Sequence, residues 1–411
     1  MWKIHGKVYD LTSYLDKHPG GRLILESCQG EKDATAAFQS YHAMMNMDKI
    51  KEIMKKYEVG TCSSKFNFNE NGFYNDLKKK VKNYFEQNNI SHHANNFWVF
   101  KSTIQLLAYI GCLYVSFISS HINLLNRVIF SFLAGHIFIQ LGFCVMHDAS
   151  HLAISNNKHI NYLLNNIWNS FSLWNTQKWS IHHCFYHHSY TGTIDDPDTK
   201  HFKPFIRKSN NEKKHKYLNL AYFPKLQFIF YTCFLPGMWF GQILSYLRWK
   251  NYLWGMKLVN YKSNIDELLI NFLFLFMLIY SQNILVIFSY IISCNISYFV
   301  CIMPDHDTLN THNNLISNID KDWGELQVCN SGNFATSNSL VCNLFGGINY
   351  QIEHHLFPTI CHVHFPNIKK IVKQTCIDYN IPYVDYKTTY EAVYATLENF
   401  ENILYEKDKL Q

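Results

Sequence analysis

Apolar positions gather in three long runs without Lys, Arg, Asp or Glu: Ser102–Asn123, Val128–Met146 and Leu268–Met303. The first two are each long enough for one membrane-spanning helix. As a single helix the third would extend about 54 Å, too long for an apolar slab of about 30 Å. The polar Ser281-Gln282-Asn283 in its middle predicts a turn between two short spans. The pattern therefore predicts four transmembrane helices, near 102–123, 128–146, 266–281 and 284–303. A further apolar stretch, 226–247, is broken by Pro236-Gly237 and is expected to lie in or under the membrane surface. Ahead of the first span, Phe73, Leu77, Val81 and Tyr84/Phe85 recur at helical spacing with lysines between them. That pattern predicts an amphipathic basic helix resting on lipid headgroups.

The chain divides accordingly into a compact polar unit (1–62), a linker holding the amphipathic helix (63–95), a membrane domain (96–400) and a polar tail (401–411). The fold expected is mainly α: a small α+β unit, then a four-helix transmembrane domain with a helical cap on one side.

Charge orients it. With four spans, the N-terminus, the loop 147–263 and everything after 304 share one side. That side carries nearly all the Lys and Arg, including "RKSNNEKKHK". An excess of Lys and Arg marks the cytoplasmic side. The net charge of +6 suits anionic headgroups, and no nucleic-acid motif or internal repeat is present. The opening "MWKIHGKVYDLTSYLDKHPGG" lacks the apolar core of a signal peptide. Twelve cysteines are scattered without a CxxC pair and read as reduced core residues.

Two kinds of histidine carry the chemistry. In the N-terminal unit, His18 sits at the "HPGG" turn and His42 in "ATAAFQSYHAMM". Two neutral imidazoles on opposite faces of a haem fill both axial positions and leave the iron able only to exchange electrons. With "GKVYDLTSYLDKHPGG", "YHAM" and the closing "KYEVGT", residues 1–62 resemble the cytochrome b5 haem domain. Such domains usually carry a further strand and helix before the Trp-containing strand, whereas here Trp2 follows Met1 directly.

The other histidines form clusters on the predicted cytoplasmic side. In "HDASH", His147 and His151 are i,i+4 and share a helix face. In "HHCFYHH", His183 and His187 have the same spacing, and His188 points roughly 100° away, toward a second metal. His182 meets His187 less well and is assigned a supporting role. In "QIEHH", Gln351 lies i,i+3 to His354 and i,i+4 to His355, so it stands where such a cluster would place its first histidine. His306, in "MPDHDT" beyond the last span, is a further candidate. Imidazole alone does not choose among zinc, copper, iron and nickel. So many ligands exceed one tetrahedral zinc, and a fused electron donor is needed only for redox work; both favour two irons.

These boxes, with "DDPD", "LQVCNSGNF" and "GGINYQIEHHLFPTICHVHFP", resemble the membrane fatty-acyl desaturases. The fused haem unit and the Gln-headed third box resemble the front-end subgroup. The resemblance implies a di-iron centre on His147, His151, His183, His187, His188, His306, His354 and His355, with Gln351 completing the set, and haem b on His18 and His42. It further implies O2 and an acyl chain (as acyl-CoA or in a phospholipid) as substrates and an NADH-dependent cytochrome b5 reductase as electron donor. The implied setting is the endoplasmic reticulum membrane, and the implied reaction forms a cis double bond between an existing one and the carboxyl end. Asp148, Asp198 and Glu353 are expected to fix histidine tautomers, and His362 and His364 to be structural. A sphingolipid long-chain-base desaturase shares this domain order. A cytochrome b5-fused fatty acid hydroxylase and a membrane electron carrier without oxygen chemistry are the remaining alternatives.

Overall fold

The N-terminal unit is built on a three-stranded antiparallel sheet in the order β1 (Trp2–Ile4), β2 (Lys7–Tyr9), β3 (Glu58–Thr61). In this computed structural model, residues 1–30, 32–171, 176–193, 195–199, 252–253, 256–257, 275–276, 278–281, 283–312 and 321–405 are described. The β1–β2 turn is His5-Gly6, both at positive φ, the conformation that suits a two-residue hairpin. Trp2 is fully buried, and its indole N–H donates to the Leu25 carbonyl at 2.7 Å. Three short helices, α1 (Arg22–Ser27), α2 (Thr35–Tyr41) and α3 (Met47–Lys55), cover the sheet. The Asn46 side chain caps α3 by accepting from the N–H groups of Asp48 and Lys49.

Helix α4 (Phe73–Gln87) departs from expectation. Phe73, Tyr74, Leu77, Val81 and Phe85 are buried in one cluster with Trp323, Phe357 and Ile368, so the apolar face packs against protein instead of headgroups. The Tyr74 hydroxyl anchors it to the Leu356 carbonyl at 2.8 Å.

Among the described residues, three helices are long and apolar enough to cross a membrane. The first, α5 (Asn96–Ile118), starts earlier than the uncharged run because Asn95 caps it through the Trp98 N–H, and it takes in Lys101. The second, α6 (Leu124–Ser150), continues past the expected end through a π-wound segment, Gly142–His147. After α7 (Lys158–Phe171) and a composite helix α8 (Thr176–Trp179, the π-wound Ser180–His187, and His188–Tyr190), the third is α9 (Ile284–His306). The expected surface stretch 226–247 and most of the expected span 266–281 lie outside the described residues.

Val99, Phe100 and Leu107 on α5, Leu125 and Phe132 on α6, and Leu285 and Phe288 on α9 are exposed, an apolar outer face suited to hydrocarbon. Inside, α6 and α9 lie parallel and close. Ser289 Oγ donates to the Val128 carbonyl at 2.9 Å, and His136 Nδ1 meets Ser297 Oγ at 2.8 Å. A Cβ on Gly135 would come 2.5 Å from the Tyr290 carbonyl oxygen, so glycine there permits the approach. Parallel packing brings His147, at the end of α6, and His306, at the end of α9, to the same side. A cap closes over them, including α10 (Trp323–Cys329), α11 (Gln351–Leu356), α12 (Phe365–Asp378) and α13 (Thr389–Tyr405).

Candidate metal centre

The clusters converge into two adjoining groups. His147 and His151 from the end of α6, His183 and His188 from α8, and His354 from α11 each offer one ring nitrogen, all within 4.8 Å of one another. His187, His306 and His355 form a second group on the same criterion. Gln351 joins the second group, with its amide nitrogen 2.9 Å from His306 Nε2 and 3.0 Å from His355 Nε2. The groups touch where the rings of His188 and His355 stack at 4.3 Å.

This partition corrects the expected one. His183 and His187 fall in different groups: His183 lies with His188, and His187 faces His306 and His355. The His183–His188 pairing follows from the π-wound Ser180–His187 segment, which adds i+5 neighbours to a face that an α-helix limits to i+3 and i+4. A π-helix closes i→i+5, so residues five apart share a face. His183 and His188 are five apart, and so are His182 and His187. The latter two meet through Asp198, whose oxygens lie 2.8 Å from His182 Nε2 and 3.3 Å from His187 Nδ1.

The donor set fits metal. Within the first group, Nε2 of His183 lies 3.0 Å from that of His147 and 3.3 Å from that of His188, which is 3.1 Å from that of His354. A neutral imidazole carries one N–H, so most of these converging nitrogens present bare lone pairs. Without a cation between them they repel. His151 Nε2 and Gln351 Oε1 are buried without a hydrogen-bond partner. Turning the Gln351 amide over would direct that oxygen, a neutral ligand atom, at the same place as the histidine nitrogens.

Four of the outward nitrogens are held, those of His306, His187, His355 and His151. His306 Nδ1 donates to the Asn330 carbonyl at 2.7 Å. His187 Nδ1 donates to Asp196 at 3.1 Å. His355 Nδ1 lies 3.0 Å from both Gln327 Oε1 and Thr191 Oγ1. His151 Nδ1 lies 2.7 Å from the Tyr41 hydroxyl. Such partners put the proton on Nδ1 and aim bare Nε2 inward. Burial, reinforced by neighbouring histidines, pushes His151, His183, His188, His354 and His355 well below the usual imidazole range, so they stay neutral as ligands must.

Of the three carboxylates expected to orient histidines, Asp198 does so. Asp148 also holds a histidine, but one outside both groups, accepting from His362 Nδ1 at 2.6 Å, whereas Glu353 accepts from Asn333 at 2.8 Å and Tyr383 at 2.7 Å. His362 also faces the Lys101 ammonium, an arrangement hostile to a second cation, and His364 contacts the His93 carbonyl at 2.9 Å. Tyr41, Asp196, Gln327 and Asn330 were not singled out by sequence reasoning. The last three lie inside the quoted strings "DDPD" and "LQVCNSGNF", and Tyr41 inside "YHAM", quoted there for the haem ligand His42 and not for the metal centre.

In the N-terminal unit, the His18 and His42 rings stand 6.2 Å apart between centroids, across a cavity of about 280 Å³ lined by Leu25, Phe38, Ile50 and Met54. Their Nδ1 atoms contact the Gly21 and Phe38 carbonyls at 3.3 and 2.8 Å, leaving both Nε2 atoms for a metal between them. Metal–imidazole bonds of about 2.0 Å fit that separation. Burial lowers both, His18 to about 4, and keeps them neutral. The pocket is closed on one side by Leu152, Ser155 and Lys158 of the membrane domain.

Comparison with known proteins follows the same division. The fatty acid desaturase family model matches residues 122–387, and the cytochrome b5-like heme/steroid binding domain model matches residues 1–63. The chain is 29% identical over 440 residues to an acyl-lipid (8-3)-desaturase of Mortierella alpina, covering 96% of this chain and 92% of that one. It is 26% identical over 438 residues to the protein of the same name from Physcomitrium patens, covering 97% and 87%. An sn-1 linoleoyl-lipid 6-desaturase of Synechocystis is 25% identical over 349 residues, covering 78% and 92%.

Proposed function

Because the chain belongs to the fatty acid desaturase family and carries a cytochrome b5-like domain ahead of it, we propose that it is a front-end acyl-lipid desaturase. It introduces a cis double bond between an existing one and the carboxyl end of a polyunsaturated acyl chain, consuming O2 and electrons from an NADH-dependent cytochrome b5 reductase. The observation that carries this reading is the pair of buried imidazole groups at the matching ends of α6 and α9. The named relatives support an acyl chain held in a lipid as substrate.

Each protein element has a defined part. His147, His151, His183, His188 and His354 would hold one iron, and His187, His306, His355 and Gln351 the other. Such a pair, when bound, supplies the oxygen activation needed to remove hydrogen from unactivated carbons. Asp196, Asp198, Gln327, Tyr41 and the Asn330 carbonyl hold the rings in one tautomer. The cap keeps water from the site, while α5, α6 and α9 give the acyl chain an apolar route from the bilayer. His18 and His42 would hold haem b against the membrane domain. The lysine-rich face belongs in the cytosol and the protein in the endoplasmic reticulum membrane.

Fatty-acid profiling of yeast expressing the chain, fed C18 and C20 polyunsaturated acids singly, tests this. New bonds are located by mass spectrometry and lipid classes separated to identify the carrier. A new bond on the carboxyl side of an existing one is expected. Hydroxylated acids, or new unsaturation confined to long-chain bases, would refute it.

A further inference from the structure

The haem domain and the metal centre meet at one side chain. Tyr41 is the last residue of α2 and directly precedes His42. Its hydroxyl reaches out of the N-terminal domain to His151 Nδ1 at 2.7 Å and lies 3.5 Å from the Cys184 carbonyl. His151 is fully buried, and its other nitrogen, Nε2, has no hydrogen-bond partner and belongs to the group of five. His187, His306 and His355 take their Nδ1 partners from the membrane domain itself. His151 takes its partner from the domain that carries the haem ligands.

We infer that Tyr41 is a positioning residue through which the haem domain completes the metal centre, by holding His151 with its Nε2 toward the metal. The inference rests on the iron-binding reading above. An imidazole with a bare Nε2 carries its proton on Nδ1 and donates it to the Tyr41 oxygen. The Tyr41 hydroxyl hydrogen is then free to turn to the Cys184 carbonyl. The order Nδ1–H, phenol, carbonyl satisfies each group once and fixes a single tautomer.

Docking keeps Tyr41 in place. The Tyr162 hydroxyl donates to the Gly20 carbonyl at 2.7 Å and the Tyr190 hydroxyl to the Asp33 carbonyl at 2.9 Å. Asp195 pairs with Lys32 and Lys65 of the N-terminal segment. The haem domain is thereby more than an electron donor on a tether. A separate cytochrome b5 could replace its redox role but not this hydrogen bond.

The test uses full-length protein purified with iron and haem, challenged by a graded ferrous chelator, with iron and haem measured separately. Tyr41→Phe keeps the ring and removes only the hydroxyl. Loss of a hydrogen-bond partner behind a metal-ligating histidine typically costs about 10- to 100-fold in metal affinity. We expect that loss for one iron, with the haem Soret band unchanged. Tyr162→Phe removes a docking bond without touching a metal-group histidine, and should retain iron as the wild type does. Wild-type iron affinity in Tyr41→Phe would overturn the inference. Equal loss in both variants would also overturn it, since the effect would then belong to docking. A wild type that binds haem but no iron would instead overturn the functional reading beneath it.

Discussion

Asp196→Asn changes one atom and should uncouple the two metal groups. Asp196 is 2% exposed, and both its oxygens are in use. Oδ1 accepts from His187 Nδ1 at 3.1 Å and from the Asp198 N–H at 3.0 Å; Oδ2 accepts from the Gly192 N–H at 2.8 Å. An asparagine has one oxygen. If that oxygen stays with His187, the new NH2 faces the Gly192 N–H, and a buried donor left unpaired costs about 1–3 kcal/mol. The bond to His187 also loses its charge assistance, a further loss of about 1 kcal/mol. If the amide turns over, His187 itself loses its acceptor. Either way about 2–4 kcal/mol bears on one ligand of the second group.

If that energy falls on iron binding, affinity there drops about 30- to 1,000-fold, while the group of five keeps its iron. Iron per protein, measured after equilibrium dialysis against a chelator, should move from two toward one, and product formation should fall with it. Asp198→Asn is the control. That side chain is 33% exposed, so water can replace the lost acceptor, and the effect should stay below about tenfold. Two irons held at wild-type affinity by Asp196→Asn would refute the assignment of His187 to a ligand role oriented by Asp196.

Gln351→Ala removes the amide from the second group and should cut product formation at least about 100-fold with the haem spectrum intact; turnover within a few-fold of wild type would remove Gln351 from the set. His188→Ala should abolish product, whereas His182→Ala, which gives up the contact to Asp198, should lower it less than about tenfold; the reverse order would contradict the placement of His188 in the group of five and His182 outside it. Lys78 concerns stability: burial, only partly offset by Asp322, lowers its ammonium from 10.5 to about 8, with Gln39 and the Tyr74 ring as its contacts. A lysine lowered on folding costs stability wherever both states are charged, below about pH 8, and that cost of about 3 kcal/mol is relieved as pH rises toward 10.5. Thermal unfolding in detergent should therefore show wild type gaining on Lys78→Met between those pH values, and parallel profiles would refute the placement of the buried charge.

What the sequence revealed of this site, and what it hid, follows from the range of the forces involved. Histidines next to the ends of apolar runs are visible because both facts are local, and the Gln351 spacing to His354 and His355 needed only one turn of helix. The split of His183, His187 and His188 between metal groups depended on a π-wound segment. α-Helical periodicity splays residues five apart and so misses the pairing of His183 with His188. Helix α4 failed for a different reason: an apolar stripe of Phe73, Leu77 and Val81 reports that something must cover it, and lipid and Trp323 satisfy that demand equally. Tyr41 was hidden most completely, since its partner His151 is 110 positions away and a tyrosine beside a haem ligand already has a local explanation. The histidines that gather into the two groups could be picked out from their own chemistry. Of the residues that orient them only Asp198 was anticipated, because a hydroxyl or carboxylate becomes an orienting group only when folding brings an imidazole to it.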